Sequence, residues 1–155
     1  MTALRRLAFV LTACLAYLPA GQAAEPVASS PTVRDAWARA TAPGTGVAAV
    51  YCAIVGGSKD DRLIGASTDR AEVTQIHSVM HEAGMARMRP LDEVVIPARK
   101  TVVLAPETMH LMLMNLSQPL TAGEHFVVQL RFARAGTIEV AVDVRPPDAS
   151  GPVAR

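Results

Sequence analysis

The chain has 155 residues, of which 50% are hydrophobic, 4% aromatic and 19% charged, with a formal net charge of +1. That length suits one domain able to bury a core without disulfide or metal staples. The near-neutral balance argues against a nucleic-acid partner, which would leave a basic patch, and the apolar content argues against intrinsic disorder.

Residues 1–23 read as an export signal. Arg5 and Arg6 supply a basic start, Leu7 to Leu18 is almost unbroken apolar sequence, and Pro19-Ala20-Gly21-Gln22-Ala23 offers small residues for cleavage. The run is too short to span a membrane, which takes about 20 apolar residues, so no membrane span is expected. Leu11-Thr12-Ala13-Cys14 also resembles a lipobox, which would leave a lipid on Cys14. The apolar stretch continues past Cys14, so the soluble exported form is preferred. Trimming removes two arginines and takes the net charge from +1 to −1. It also removes Cys14, leaving Cys52 alone in the apolar run from Ala48 to Val55, where a buried small hydrophobe is expected.

Residues 24–30 read as a flexible leader. Short β-rich runs follow, at Thr32–Ala38, Val47–Val55, Arg62–Ala66, Val73–Val79, Ala86–Leu91, Val94–Ile96, Thr101–Leu104, His110–Leu116, Phe126–Phe132 and Thr137–Val144. Turn sequences such as Pro43-Gly44-Thr45-Gly46 and Thr121-Ala122-Gly123-Glu124 separate them. Strands punctuated this densely predict an all-β sandwich or barrel over residues 31–145. No window carries helical periodicity with caps. The segment 146–155 reads as a disordered tail.

Apart from Met1, every methionine lies between Met80 and Met114, and His77, His81 and His110 share or border that window. Methionine fills gaps throughout ordinary cores, so its confinement here needs another reason. Thioether sulfur with imidazole nitrogen is a donor set that suits Cu(I). Outside the cytoplasm methionine also has an advantage over cysteine, because it forms no disulfide. On a strand, His110, Met112 and Met114 would share one face and Leu111 and Leu113 the other. A two-sided core strand with no metal fits the same alternation.

His77, ten residues, Met88, twenty-one residues and then His110-Leu111-Met112 form a longer pattern. With Met88-Arg89-Pro90 and the Ala135-Gly136-Thr137 turn, it resembles the bacterial periplasmic copper chaperones of the PCu(A)C family. The resemblance covers about Ala48 to Val144. It implies a cupredoxin-like β-sandwich and a periplasmic location, with one Cu(I) held by His77, Met88, His110 and Met112. It also implies delivery of copper to the CuA site of cytochrome c oxidase, with subunit II or a similar cuproprotein as acceptor and another copper chaperone as a further partner.

His81 is an additional donor near the site, with a solvated strand-end histidine preferred over a second-shell partner or an alternative ligand. Met80, Met85 and Met114 read as packing residues in preference to a loose secondary copper port, and His125 as isolated and exposed. The tail lacks the Met and His residues that many family members carry there. No catalytic motif occurs, so no enzyme is expected. A blue-copper carrier would need a Cys-His-Met loop that is missing. Copper storage or buffering, and a metal-free β-sandwich interaction module, remain as competing readings.

Overall fold

The computed structural model describes residues 28–151 apart from Ala83. The expected signal at 1–23, the leader up to residue 27 and the tail beyond residue 151 lie outside the described residues. Ten strands follow one another: β1 (Thr32–Arg39), β2 (Val47–Val55), β3 (Asp61–Ser67), β4 (Ala71–Glu82), β5 (Met85–Leu91), β6 (Val94–Ile96), β7 (Thr101–Leu104), β8 (Met109–Leu116), β9 (His125–Phe132) and β10 (Gly136–Arg145). No helix occurs among the described residues.

The two-residue period decides which side chains enter the core. In β9, Phe126, Val128, Leu130 and Phe132 point inward, while His125, Val127, Gln129 and Arg131 face out. In β8, Leu111 and Leu113 are buried, with Met112 between them and Met114 beyond them half-exposed. The main difference from the expected boundaries is β4, which runs on past Val79 to Glu82. Its polar end is held by hairpin pairing with β5, where Glu82 meets Met85, so backbone hydrogen bonds extend the strand beyond its apolar run. Gly84, at φ +78°, supplies the left-handed backbone at the tip of that hairpin.

The strand order is β5-β4-β8-β2-β1-β10-β9-β3-β6, with β7 on the second half of β2. β3 and β4 stand far apart in that order, yet only residues 68–70 join them. Such a link spans at most ~14 Å, and packed sheets lie ~10 Å apart. The sheet must therefore fold over on itself, with the layer holding β4, β8 and β2 lying against the layer holding β3, β9 and β10. Ile76, Leu111, Leu113, Val50 and Ile54 meet Leu63, Phe126, Val128, Leu130 and Val142 in one buried cluster. β5, at the open edge, carries Pro90, which is tolerated there because the outer side has no ladder to complete.

Two arginines anchor the described part of the C-terminal segment. Arg39 Nε donates to the Ala149 carbonyl at 2.7 Å, and Arg145 Nη1 to that of Gly151 at 2.7 Å. Both guanidinium groups also lie over the Trp37 ring, 5.9 and 5.2 Å from its centroid. Residues 146–151, expected to be loose, thus turn back onto the body of the protein through backbone carbonyls, which composition does not register.

Candidate metal centre

Pairing across four strands lines up one row of rings on the outer face of the sheet. Trp37 of β1 pairs with Tyr51 of β2, and His110 of β8 with His77 of β4. Ring centroids along the row are 4.7 Å apart from Trp37 to Tyr51, 6.2 Å from Tyr51 to His110 and 6.0 Å from His110 to His77. Cys52, one residue on from Tyr51, points the other way into the core.

The two methionines flank the histidines on the same face. Met112 is two residues beyond His110, between Ala49 of β2 and Gln75 of β4. Met88 pairs with Val79, two residues from His77. Met88, His110 and Met112 line one open cleft of about 270 Å³, together with Tyr51, Arg39 and Ala48. His77 is not part of that lining and joins the group through its contact with His110.

The hydrogen bonds at the two imidazoles are incomplete in a specific way. His77 Nε2 lies 3.1 Å from Gln75 Oε1. With the amide oxygen accepting, Nε2 carries the proton and Nδ1 keeps its lone pair. His77 Nδ1 and His110 Nε2 are both buried with no hydrogen-bond partner. A buried polar atom without a partner costs free energy and calls for an explanation. A lone pair left free in this way is what a metal cation would need, and thioethers beside it would suit a soft one.

Burial holds the His110 imidazole below its usual pKa, and the nearby His77 pushes in the same direction. The ring is thus kept neutral, the form that can ligate. Burial pushes the Cys52 thiol up to about 12, so no thiolate is available at neutral pH. Among the described residues no three His, Cys, Asp or Glu side chains come together as a metal group. A larger cleft of about 570 Å³ lies beside the β3–β4 turn, where Arg70 pairs with Glu124 at 2.9 Å. It offers no thioether.

Several neighbours of the site differ from expectation. Met80 and Met85, expected to pack, are 43% and 57% exposed, near the turn end of the β4–β5 hairpin. Met114 is half-buried on the face of Met112. His81 is exposed near the end of β4, as expected. His125 is exposed but not isolated: the β9–β10 register sets it opposite Asp143, whose Oδ1 lies 3.0 Å from its Nδ1. Tyr51 and Gln75 were missed. Gln75 could have been read from its two-residue spacing to His77, whereas Tyr51 joins the site only through the register of β2 with β8.

A family model described as "Putative lipoprotein LpqE-like" matches residues 31–144. The chain belongs to this family. A relative from Leifsonia xyli subsp. xyli, named "Putative lipoprotein Lxx21020", is 36% identical over 138 residues, covering 87% of this chain and 82% of its own. Among solved structures, the copper-bound PCuAC domain of PmoF2 superposes with a TM-score of 0.65 at 25% identity, covering 78% of this chain and 96% of that one. The CuI form of DR1885 from Deinococcus radiodurans gives a TM-score of 0.60 at 31% identity, covering 81% of this chain and 83% of that one. The family is thus of PCuAC type, and its fold is the cupredoxin-like β-sandwich.

Proposed function

We propose that this protein is an exported Cu(I) carrier, not an enzyme, which holds one ion through His77, Met88, His110 and Met112. The observation that carries this reading is the pair of buried, partnerless ring nitrogens, His77 Nδ1 and His110 Nε2, with Met112 and Met88 on the same face. Two solved relatives whose names give copper-bound forms support it. Neutral imidazoles and thioethers leave the bound ion at its own charge and hold it less tenaciously than thiolates would, which suits cargo meant to be passed on. Met88 is 58% exposed, so one side of the ion would be open to an acceptor.

The finer role is delivery to a copper-dependent acceptor in the periplasm, the CuA centre of cytochrome c oxidase subunit II or a similar cuproprotein, with another copper chaperone as a second partner. A lipid-anchored form, attached through Cys14, is a second reading for the location; the relatives' lipoprotein names favour it.

An anaerobic Cu(I) titration of the mature protein against a competing chelator tests binding. One tight equivalent in the wild type, lost in a His110→Ala/Met112→Ala double variant, is the expected result. Binding by neither protein would return the methionines to a packing role and favour a metal-free interaction module. Mixing the loaded protein with an apo CuA fragment then separates delivery, in which copper crosses, from storage, in which it stays.

A further inference from the structure

His81 lies on the same face of the β4–β5 hairpin as the proposed copper ligands, but outside their set. His77, Val79 and His81 alternate along one face of β4, and their partners in β5 are Pro90, Met88 and Ala86. Met88 therefore sits opposite Val79, diagonal to His77 on one side and to His81 on the other. Diagonal Cα positions across an antiparallel pair are ~7–8 Å apart, within reach of a long side chain. His77 and His81 are ~13 Å apart along the strand. That separation is too great for both imidazoles to share one ion, yet Met88 stands within reach of either.

The three side chains differ in freedom. His77 is half-buried and tied to Gln75, and His110 is 3% exposed. His81 is exposed, and no hydrogen bond to another described residue engages its ring. Met88 is 58% exposed on an edge strand, with a flexible, unbranched thioether side chain. The face thus runs from a fixed, buried pair of nitrogens, through a mobile sulfur, to a free imidazole at the rim.

We infer that His81 and Met88 form an outer Cu(I) station through which the ion enters and leaves the inner site. This rests on the copper-carrier reading above. Met88 keeps its Cu–S bond while the Cu–N bonds to His77 and His110 and the Cu–S bond to Met112 break. A Cu–N bond to neutral His81 forms in their place. The ion stays Cu(I), and no electron or proton moves. An incoming soft donor then takes the ion from this two-ligand station.

The test compares equilibrium with rate in the mature protein. The Cu(I)-loaded wild type, His81→Ala, His81→Met and Met80→Ala are each mixed with excess chromogenic Cu(I) chelator in a stopped-flow instrument. Competition titrations give their affinities. His81→Ala should slow release about 10-fold or more while its Cu(I) affinity stays within about 3-fold of the wild type. His81→Met, which restores a soft donor, should release at close to the wild-type rate. Met80→Ala, which alters the opposite face of the hairpin, should leave the rate unchanged. Unaltered release in His81→Ala, with wild-type binding intact, would overturn the outer station alone. A large affinity loss in a folded His81→Ala protein would also overturn it, by making His81 an inner ligand. Failure of the wild type to bind Cu(I) would overturn both this station and the carrier reading.

Discussion

His77 and His110 face each other across β4 and β8 with ring centroids 6.0 Å apart, and each keeps one buried ring nitrogen without a hydrogen-bond partner. Neighbouring strands impose the approach, and the solvated face of an ordinary sheet has no use for it. Burial, with the His77 ring beside it, holds the His110 imidazole below its usual pKa and so favours its neutral, ligating form.

Met112→Ala should weaken Cu(I) binding by more than the 10–100-fold typical of losing an outer-shell partner. Its melting temperature should change little, because Met112 is half-exposed and the core strand residues beside it are Leu111 and Leu113. Competition titration and thermal denaturation of one preparation check both halves.

Gln75→Ala should lower copper affinity about 10–100-fold without touching the ion. Its Oε1 lies 3.1 Å from His77 Nε2 and sets which ring nitrogen is protonated. NMR of the His77 ring should show the tautomer population spreading in the variant.

Acid should weaken both binding and fold. Burial and His77 depress the pKa of His110 from its usual 6.5. Below about pH 6.5 the unfolded chain therefore takes up a proton at this position that the folded chain resists, so stability falls as pH falls through that range. Copper binding follows the same direction, because protonated imidazole cannot ligate. Denaturant midpoints and Cu(I) competition between about pH 7.5 and 5 measure the two effects.

Asp61→Ala should destabilise the fold by more than about 3 kcal/mol while leaving copper affinity intact, since it removes several hydrogen bonds to a charged group, each contributing about 1.5–3 kcal/mol. The buried carboxylate accepts from the backbone N–H of Arg62 at 2.8 Å, of Arg134 at 2.9 Å and of Ala135 at 2.9 Å, tying β3 to the β9–β10 turn. Burial opposes its ionisation, but those three donors and the Arg134 charge outweigh it and hold the pKa below the usual carboxylate value. The stabilisation is therefore present at neutral pH and lost as pH falls into the acid carboxylate range.

Cys52 should resist iodoacetamide in the folded protein and react only on unfolding, because burial pushes its thiol up to about 12. Mass spectrometry after native and denatured labelling checks this.

The strands were legible because each carries its own evidence: the inward-outward alternation of Phe126 to Phe132 and turn residues such as Gly123 and Gly136 are local. Histidine and methionine, crowded into one window, announced a soft-metal chemistry for the same reason. Register was not legible. That Tyr51 stands beside His110, or Gln75 opposite Met112, depends on pairing between strands far apart in sequence, which a two-residue period cannot supply. The bulge in β1 between Arg34 and Trp37, with Asp35 at φ +51°, gave no sequence signal either, yet it precedes three successive buried residues, Ala36, Trp37 and Ala38. Exposure of Met80 and Met85 was missed because methionine is apolar, and composition alone assigns it to the interior.

X-ray absorption of the Cu(I) complex at the copper edge tests the ligand set most directly. A shell of two nitrogen and two sulfur scatterers is expected, losing one sulfur in Met112→Ala. A shell of nitrogen and oxygen alone, or one left unchanged by Met112→Ala, would contradict it.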